Sequence, residues 1–252
     1  MKIARILHEG EIKCAIKEND GYFLIESGDC FDIKRVSHTK ITGDIKLLAP
    51  VVPSKIIALG ANYRDHAKEL NLSLNPVPLI FFKPPTSVIG HDEYIVLPPC
   101  SQKVDYEAEL AVIIGKDCKN ISEEEAESVI LGFTCANDVT ERVFQKMDGQ
   151  WARAKGFDTF CPLGPYIQTD LDYGNVELKA ILNGKTVQRG NTLDMIYGVK
   201  QIVSFASQVM TLKKGDAILT GTPEGIGQIK NGDTIEIEIQ GIGKLRNFVK
   251  QG

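Results

Sequence analysis

Apolar segments in this chain are short, unevenly spaced and punctuated by turn residues, and they never settle into an alternation of strand and helix. A doubly wound parallel sheet needs that alternation, because each parallel strand is followed by a crossover helix. The pattern therefore excludes such a sheet and predicts a β-rich α+β fold. Residues 2–50 read as strands broken at Glu9-Gly10 and at Asn19-Asp20-Gly21, both of them turn chemistry. Pro50 and Pro53 mark a joint. The expected organisation is a small β-rich N-terminal module over residues 1–52 and a main domain over residues 53–252.

Within the main domain, residues 55–60 (KIIALG) and 79–83 (LIFFK) read as short strands, with a brief helix over 63–70 between them. Residues 104–114 predict one longer strand. Ser122, three residues before Glu125, forms a capping-box pattern, which predicts a helix running to about residue 131. Asn183-Gly184 signals a two-residue hairpin. Apolar spacing at Ile196, Val199, Ile202, Val203, Ala206 and Val209 predicts a helix over 195–210. Residues 217–220 read as a strand, and 234–239 alternate as a half-exposed strand does.

At 252 residues the chain can bury a core without disulfides or a structural metal. A net charge of -4 gives no general attraction to nucleic acid. The six cysteines are scattered without a CxxC pair, which predicts reduced thiols. There is no signal-peptide stretch at the N-terminus and no apolar run long enough to span a bilayer, so the default expectation is a cytoplasmic protein.

The sharpest chemical feature is DYEAEL at 105–110. Residues two apart on a strand point the same way, so Glu107 and Glu109 share a face, and Asp105 has the same parity. Clustered like charges fit either a solvated face or a hard cation such as Mg²⁺. Asp138 follows where an apolar strand ends, as a third carboxylate or as a helix cap. His66 and Glu69 share a helical face; together they make either a surface ion pair or a base with its orienting carboxylate. Lys155, in the aromatic-flanked WARAKGFDTF, is either a snorkelling lysine or an oxyanion stabiliser. The TGTPEGIG loop at 220–227 is a turn, or a place where backbone amides approach an anion; it is neither GxGxxG nor a P-loop.

In this order the motifs resemble the fumarylacetoacetate hydrolase family. The likeness is carried by NYRDHAKEL at 62–70, FFKPP at 81–85, VDYEAELAVIIGK at 104–116, the Asn137-Asp138-Val139-Thr140 corner, WARAKGFDTFCPLGP at 151–165, LNGKTVQRGNT at 182–192 and LTGTPEGIG at 219–227. The resemblance implies a mixed β-sandwich or roll with peripheral helices, usually dimeric. It implies Mg²⁺ or Mn²⁺ on Glu107, Glu109 and Asp138. His66 and Glu69 fall on a lid segment over residues 63–78, expected to close over the site, and Lys155 falls near the metal. Arg64, Gln188 and Thr222 correspond to substrate-contacting positions.

The family's chemistry begins from a small 2-oxo acid chelating the metal, which stabilises an enolate as a C–C bond breaks or a proton moves. The leading expectation is a hydrolase or decarboxylase of small β-dicarbonyl acids. An isomerase or tautomerase on the same site is the alternative. A non-catalytic binding protein comes third, because such a module has no use for an activated base.

Overall fold

The computed structural model describes residues 1–19, 21–69 and 75–252. Strands dominate it. A twelve-stranded mixed sheet runs, along its main path, Ile33–Lys40, Gly21–Gly28, Glu11–Glu18, Lys2–His8, Cys161–Gln168, Ile130–Asn137, Ala108–Ile114, Ala217–Leu219, Ile56–Gly60 and Leu79–Lys83. A five-stranded sheet, ordered Lys185–Asn191, Glu177–Leu182, Thr234–Ile239, Gly243–Gln251 and Tyr94–Leu97, packs against its middle. A small three-stranded sheet joins Val104–Tyr106 to Thr140–Glu141 and Gly227–Gln228. This is the predicted β-rich α+β architecture. The N-terminal strands belong to the large sheet, since Lys2 and Ile3 pair with Gln168 and Ile167.

Local turn chemistry forms as read. Glu9 and Gly10 both take positive φ, as do Asn183 and Gly184, and the flanking residues pair as two-residue hairpins require. Glu18 pairs with Gly21; Asp20 of that turn lies outside the described residues. In Thr234–Ile239 the three isoleucines are buried and the intervening residues half-buried.

The central strand Ala108–Ile114 is buried on both faces. Ala108, Leu110, Val112 and Ile114 join the core shared with the five-stranded sheet, while Ala111 and Ile113 pack with Ile56, Ala58, Leu163 and Leu219 behind it. Glu109 has the parity of Ala111, so the second face carries its carboxylate into the interior.

Several expectations are corrected. The single strand over 104–114 is two, in different sheets, divided at Glu107. There the Asn137 side chain accepts from the Glu107 amide and Glu107 C=O accepts from the Asp138 amide, so regular pairing is interrupted. The helix after Ser122 is a 3-10 turn, Ala126–Val129. The Ser122 amide does donate to Glu125, but the sheet claims the β-prone residues that follow as a neighbour of the central strand. The helix over 195–210 shortens to Val199–Val209, because Met195 bridges to Tyr63 and Ile196 donates to Asn62 C=O. The expectation of reduced thiols fails for Cys14 and Cys30, which form a disulfide with Cα atoms 5.6 Å apart; the other four cysteines are free. No helix among the described residues is long and apolar enough to cross a membrane.

The disulfide predicts that alkylation of the unfolded, unreduced chain labels four cysteines and that prior reduction raises the count to six. Replacing Cys14 by Ala should cost about 3 kcal/mol in urea unfolding, the loop-closure value for a ring of this size. Six labelled cysteines without reductant would remove the bridge.

Candidate metal centre

Glu107, Glu109 and Asp138 converge. All three are buried, and one oxygen from each lies within 4.8 Å of the others. Glu107 sits at the break between strands, Glu109 on the rear face of the central strand, and Asp138 just beyond Ile130–Asn137, the strand paired alongside. The solvated-face alternative for Glu107 and Glu109 does not hold. Asp138 is also not a helix cap; Glu141 caps Arg142–Asp148, accepting from the Phe144 amide at 2.6 Å.

Three buried cations face these acids. Lys155 Nζ donates to Glu107 Oε2 at 2.8 Å and to Asp138 Oδ2 at 2.6 Å. Lys83 Nζ donates to the other oxygen of Asp138 at 2.6 Å. Arg142 donates to Asp105 at 2.9 Å and also to Glu107. Asp105 is thus tied to Arg142 and stands apart from the convergent triad. Four carboxylates meet three cations, one acid more than the cations can balance if all four ionise.

Glu109 is where the shortfall falls. Its Oε2 accepts from the Gly221 amide at 2.6 Å, while its Oε1 is buried with no partner among the described residues. Burial, then Asp138 and Glu107, pushes the Glu109 carboxyl well above its usual range. Burial acts the same way on Glu107, but Lys155 and Arg142 outweigh it and hold that carboxyl low. Lys155 loses charge stability to burial and regains more from Asp138 and Glu107, so its pKa stands raised. An oxygen-only donor set with one orphaned carboxylate oxygen fits a hard divalent cation.

His66 is buried on the helix Arg64–Glu69, and its Nδ1 lies 3.0 Å from Glu69 Oε2. Glu69 Oε1 accepts from the Gly225 amide at 3.1 Å, tying this short helix to the TGTPEGIG loop. His66, Glu107, Arg142, Lys155 and Thr222 line one narrow cavity. A wall of it is Gly60 against Trp151; a Cβ at Gly60 would fall 2.5 Å from that ring. Residues 70–74 of the expected lid lie outside the described residues.

Gln188 and Thr222 meet beneath the triad. Gln188 Oε1 accepts from the Ala108 amide and Nε2 donates to Thr222 Oγ1, which donates to Ala108 C=O at 2.9 Å. Together they hold both backbone groups of the residue between Glu107 and Glu109. Arg64 is exposed and lines a neighbouring cleft.

Lys83 and Arg142 were not singled out from the sequence. A signal for Lys83 was there, since a lone lysine closing the apolar strand LIFFK shares the parity of Phe81. Arg142 carried no comparable signal, because its carboxylate partners lie more than thirty residues away.

Comparison with known proteins matches residues 55–250 to the fumarylacetoacetate (FAA) hydrolase C-terminal family. The chain belongs to that family. It is 37% identical to a 2,4-didehydro-3-deoxy-L-rhamnonate hydrolase from Sphingomonas, covering 100% of this chain and 96% of that one. Identity to the human mitochondrial oxaloacetate tautomerase is 42%, over 82% and 70% of the two chains. The crystal structure of a 5-carboxymethyl-2-hydroxymuconate delta-isomerase from Mycobacterium smegmatis superposes with a TM-score of 0.93 at 42% identity over the whole of both chains. The family is one of enzymes, and the relatives include hydrolase, isomerase and tautomerase members.

Two substitutions separate the roles of the buried charges. Lys83→Met leaves Asp138 with an unpaired buried oxygen and should destabilise the fold by about 3–5 kcal/mol in urea unfolding. Glu109→Gln should cost the metal-free protein little, because burial already favours the neutral carboxyl. It should, however, abolish the stabilisation by Mn²⁺, about 2.7 kcal/mol at a hundredfold excess over the dissociation constant. An Mn²⁺-induced rise in melting temperature that survives Glu109→Gln would remove Glu109 from the ligand set.

Proposed function

We propose that this protein is a metal-dependent enzyme that cleaves a C–C bond in a small 2-oxo, β-dicarbonyl acid. The observation that carries this reading is the buried triad, whose Glu107 lines the same cavity as His66. Glu107, Glu109 and Asp138 would hold Mg²⁺ or Mn²⁺, which when bound supplies Lewis acidity toward the carboxylate and keto oxygens of a 2-oxo acid. A divalent ion held by the ionised carboxylates would leave the cluster with a net positive charge, which suits an anionic substrate.

The protein's own residues then supply the proton chemistry. With Nδ1–H donated to Glu69, the His66 ring presents Nε2 as a base, and Glu69 steadies the imidazolium that forms. His66 takes a proton from water as the water oxygen bonds to the distal carbonyl carbon. The C–C bond breaks with its electron pair passing to the 2-oxo acid fragment, and the proton returns from His66 to that fragment's carbon. The other product leaves as a carboxylic acid. Lys155, charged and buried, is placed to steady negative charge developing at a substrate oxygen. Gln188 and Thr222 position the metal ligands through Ala108.

A second reading, proton transfer without bond cleavage, is favoured by the 42% identity to the human oxaloacetate tautomerase. His66 and Lys155 would then only move protons. Decarboxylation is a third outcome on the same site and needs no attacking water.

Mn²⁺-supplemented assays against acylpyruvates and oxaloacetate, following pyruvate formation and loss of enol absorbance, separate these readings. For a hydrolase, His66→Ala should lower kcat on the order of a hundredfold or more. Substantial pyruvate formation by His66→Ala would rule out hydrolysis in favour of decarboxylation. Enol loss with no pyruvate would mark a tautomerase.

We also infer a homodimer. Leu79–Lys83 ends the large sheet and leaves Leu79 and Phe82 exposed, an edge that invites pairing unless covered. Light scattering at micromolar concentration should give twice the chain mass; a monomer mass would overturn the inference.

A further inference from the structure

Both residues of the Cys14–Cys30 bridge line an open cleft of about 350 Å³, together with Arg5, Asp29, Phe31 and Lys214. Cys14 is half-buried and Cys30 is 4% exposed. Thiol–disulfide exchange needs room for a third sulfur, and the cleft provides it on the Cys14 side.

The cleft also supplies charge of the right sign. Arg5 stands directly opposite Cys14 in the pairing of Lys2–His8 with Glu11–Glu18, so both side chains leave the sheet on one face. Its guanidinium donates to Ala49 C=O at 3.3 Å, a neutral acceptor that does not cancel its charge. Asp29, the acid in the lining, is already engaged. It accepts from Lys214 at 3.0 Å and from the Phe31 and Asp32 amides at 2.7 and 2.8 Å. A cation beside a cysteine favours the thiolate, which is the form that exchanges.

The bridge also secures a clasp. Cys30 lies in the loop between Gly21–Gly28 and Ile33–Lys40, and the bridge ties that loop to strand Glu11–Glu18. From the loop, Asp29 pairs with Lys214, whose ammonium lies 4.8 Å from the centre of the Phe31 ring. The same ring closes on Gly215, where a Cβ would stand 3.4 Å from it. The turn gripped in this way runs from Lys213 to Asp216 and leads into Ala217–Leu219, the neighbour of the central strand, which ends at the TGTPEGIG loop.

We infer that Cys14–Cys30 is a thiol–disulfide exchange site at which a dithiol reductant opens the bridge and releases this clasp. One thiolate of the reductant bonds to Cys14 Sγ, the more accessible sulfur. The Cys14–Cys30 bond breaks with its electron pair on Cys30 Sγ, which takes up a proton. The second thiolate of the reductant then bonds to the first sulfur, and Cys14 departs as a thiolate opposite Arg5. The protein gains two electrons, and the dithiol leaves as a disulfide.

The test uses the native, full-length protein, first oxidised with excess oxidised glutathione. It is then treated, without denaturant, with dithiothreitol or with thioredoxin and its reductase. Free thiols are alkylated and located by peptide mass. Cys14 and Cys30 should become labelled together while Cys135 and Cys161, buried and free in both states, stay unlabelled. Hydrogen exchange across residues 29–33 and 213–216 should quicken on the order of tenfold on reduction. Cys14→Ser, which cannot form the bridge, should show the fast exchange without reductant. Arg5→Gln should slow reduction about threefold, the effect of about one pKa unit on the departing thiol. Faster opening by thioredoxin than by dithiothreitol at equal concentration would mark a protein reductant, and the reverse a small one. A bridge that opens only when Cys135 and Cys161 are labelled too would be a sealed staple and would overturn the site. Cysteines that never join under oxidised glutathione, or hydrogen exchange unmoved by reduction, would overturn it as well.

Discussion

The buried contact of Lys155 with Glu107 and Asp138 is the interaction around which the site is arranged. Two charges cannot be left in a protein interior without costing several kcal/mol each, and a buried ion pair recovers that cost only with good geometry and further hydrogen bonds. Here every participant is doubly held. Asp138 takes Lys83 on its second oxygen, and Glu107 takes Arg142 on its own. Arg142 can reach Glu107 because its helix starts immediately after the corner at Asp138, capped by Glu141. The corner exists because Ile130–Asn137 runs beside the central strand. An apolar cluster would stabilise a fold at least as well as this one, so the charges are better understood as serving chemistry than as serving stability.

Glu109 gives that distinction physical content. Both oxygens of Glu107 and of Asp138 are paired, yet the Glu109 Oε1 is orphaned although the Gly221 amide serves Oε2. Gly221 reaches this position with a positive φ of 92° and with the Asn62 side chain pressed against it, where a Cβ would stand 2.7 Å from that of Asn62. Asn62 in turn holds Thr220 C=O and the Tyr197 backbone. The unpaired oxygen is therefore not slack in a loose region. Hydrogen bonds fix the loop on one side of Glu109 and leave the other side open.

The sequence was legible where the deciding forces are local. Asn183-Gly184 and Glu9-Gly10 become hairpin turns because positive φ is a property of those residues and their immediate neighbours. The alternation in Thr234–Ile239 reports which face is buried without reference to the rest of the chain. Failures came where a distant partner decides. Ser122 and Glu125 make their local hydrogen bond, but the residues after them are drawn into the sheet by a strand sixteen or more positions earlier. Spacing cannot indicate that Cys14 and Cys30 are brought together, nor that Arg142 finds Asp105. The three carboxylates were visible by parity and position, but their convergence became an expectation only through family likeness, since on spacing alone Glu107 and Glu109 fit a solvated face better.

The candidate base, the metal-ligand candidates and the TGTPEGIG loop share structural parts. Glu69 orients His66 with one oxygen and is anchored by Gly225 with the other. Gln188 clamps Ala108 between the two metal-ligand candidates and also donates to Pro223 C=O at 2.7 Å. Pro223 and Arg189 wall the cleft that Arg64 lines, each the immediate chain neighbour of a clamp residue. A shift of Pro223 or Arg189 would thus act next to the hydrogen bonds that hold Ala108 between Glu107 and Glu109. Binding free energy gained far from the reacting carbon can in this way be used to align the groups that act on it, which raises turnover in addition to affinity. In such a site the residues around the Ala108 clamp cannot be changed freely without touching the geometry of the reaction.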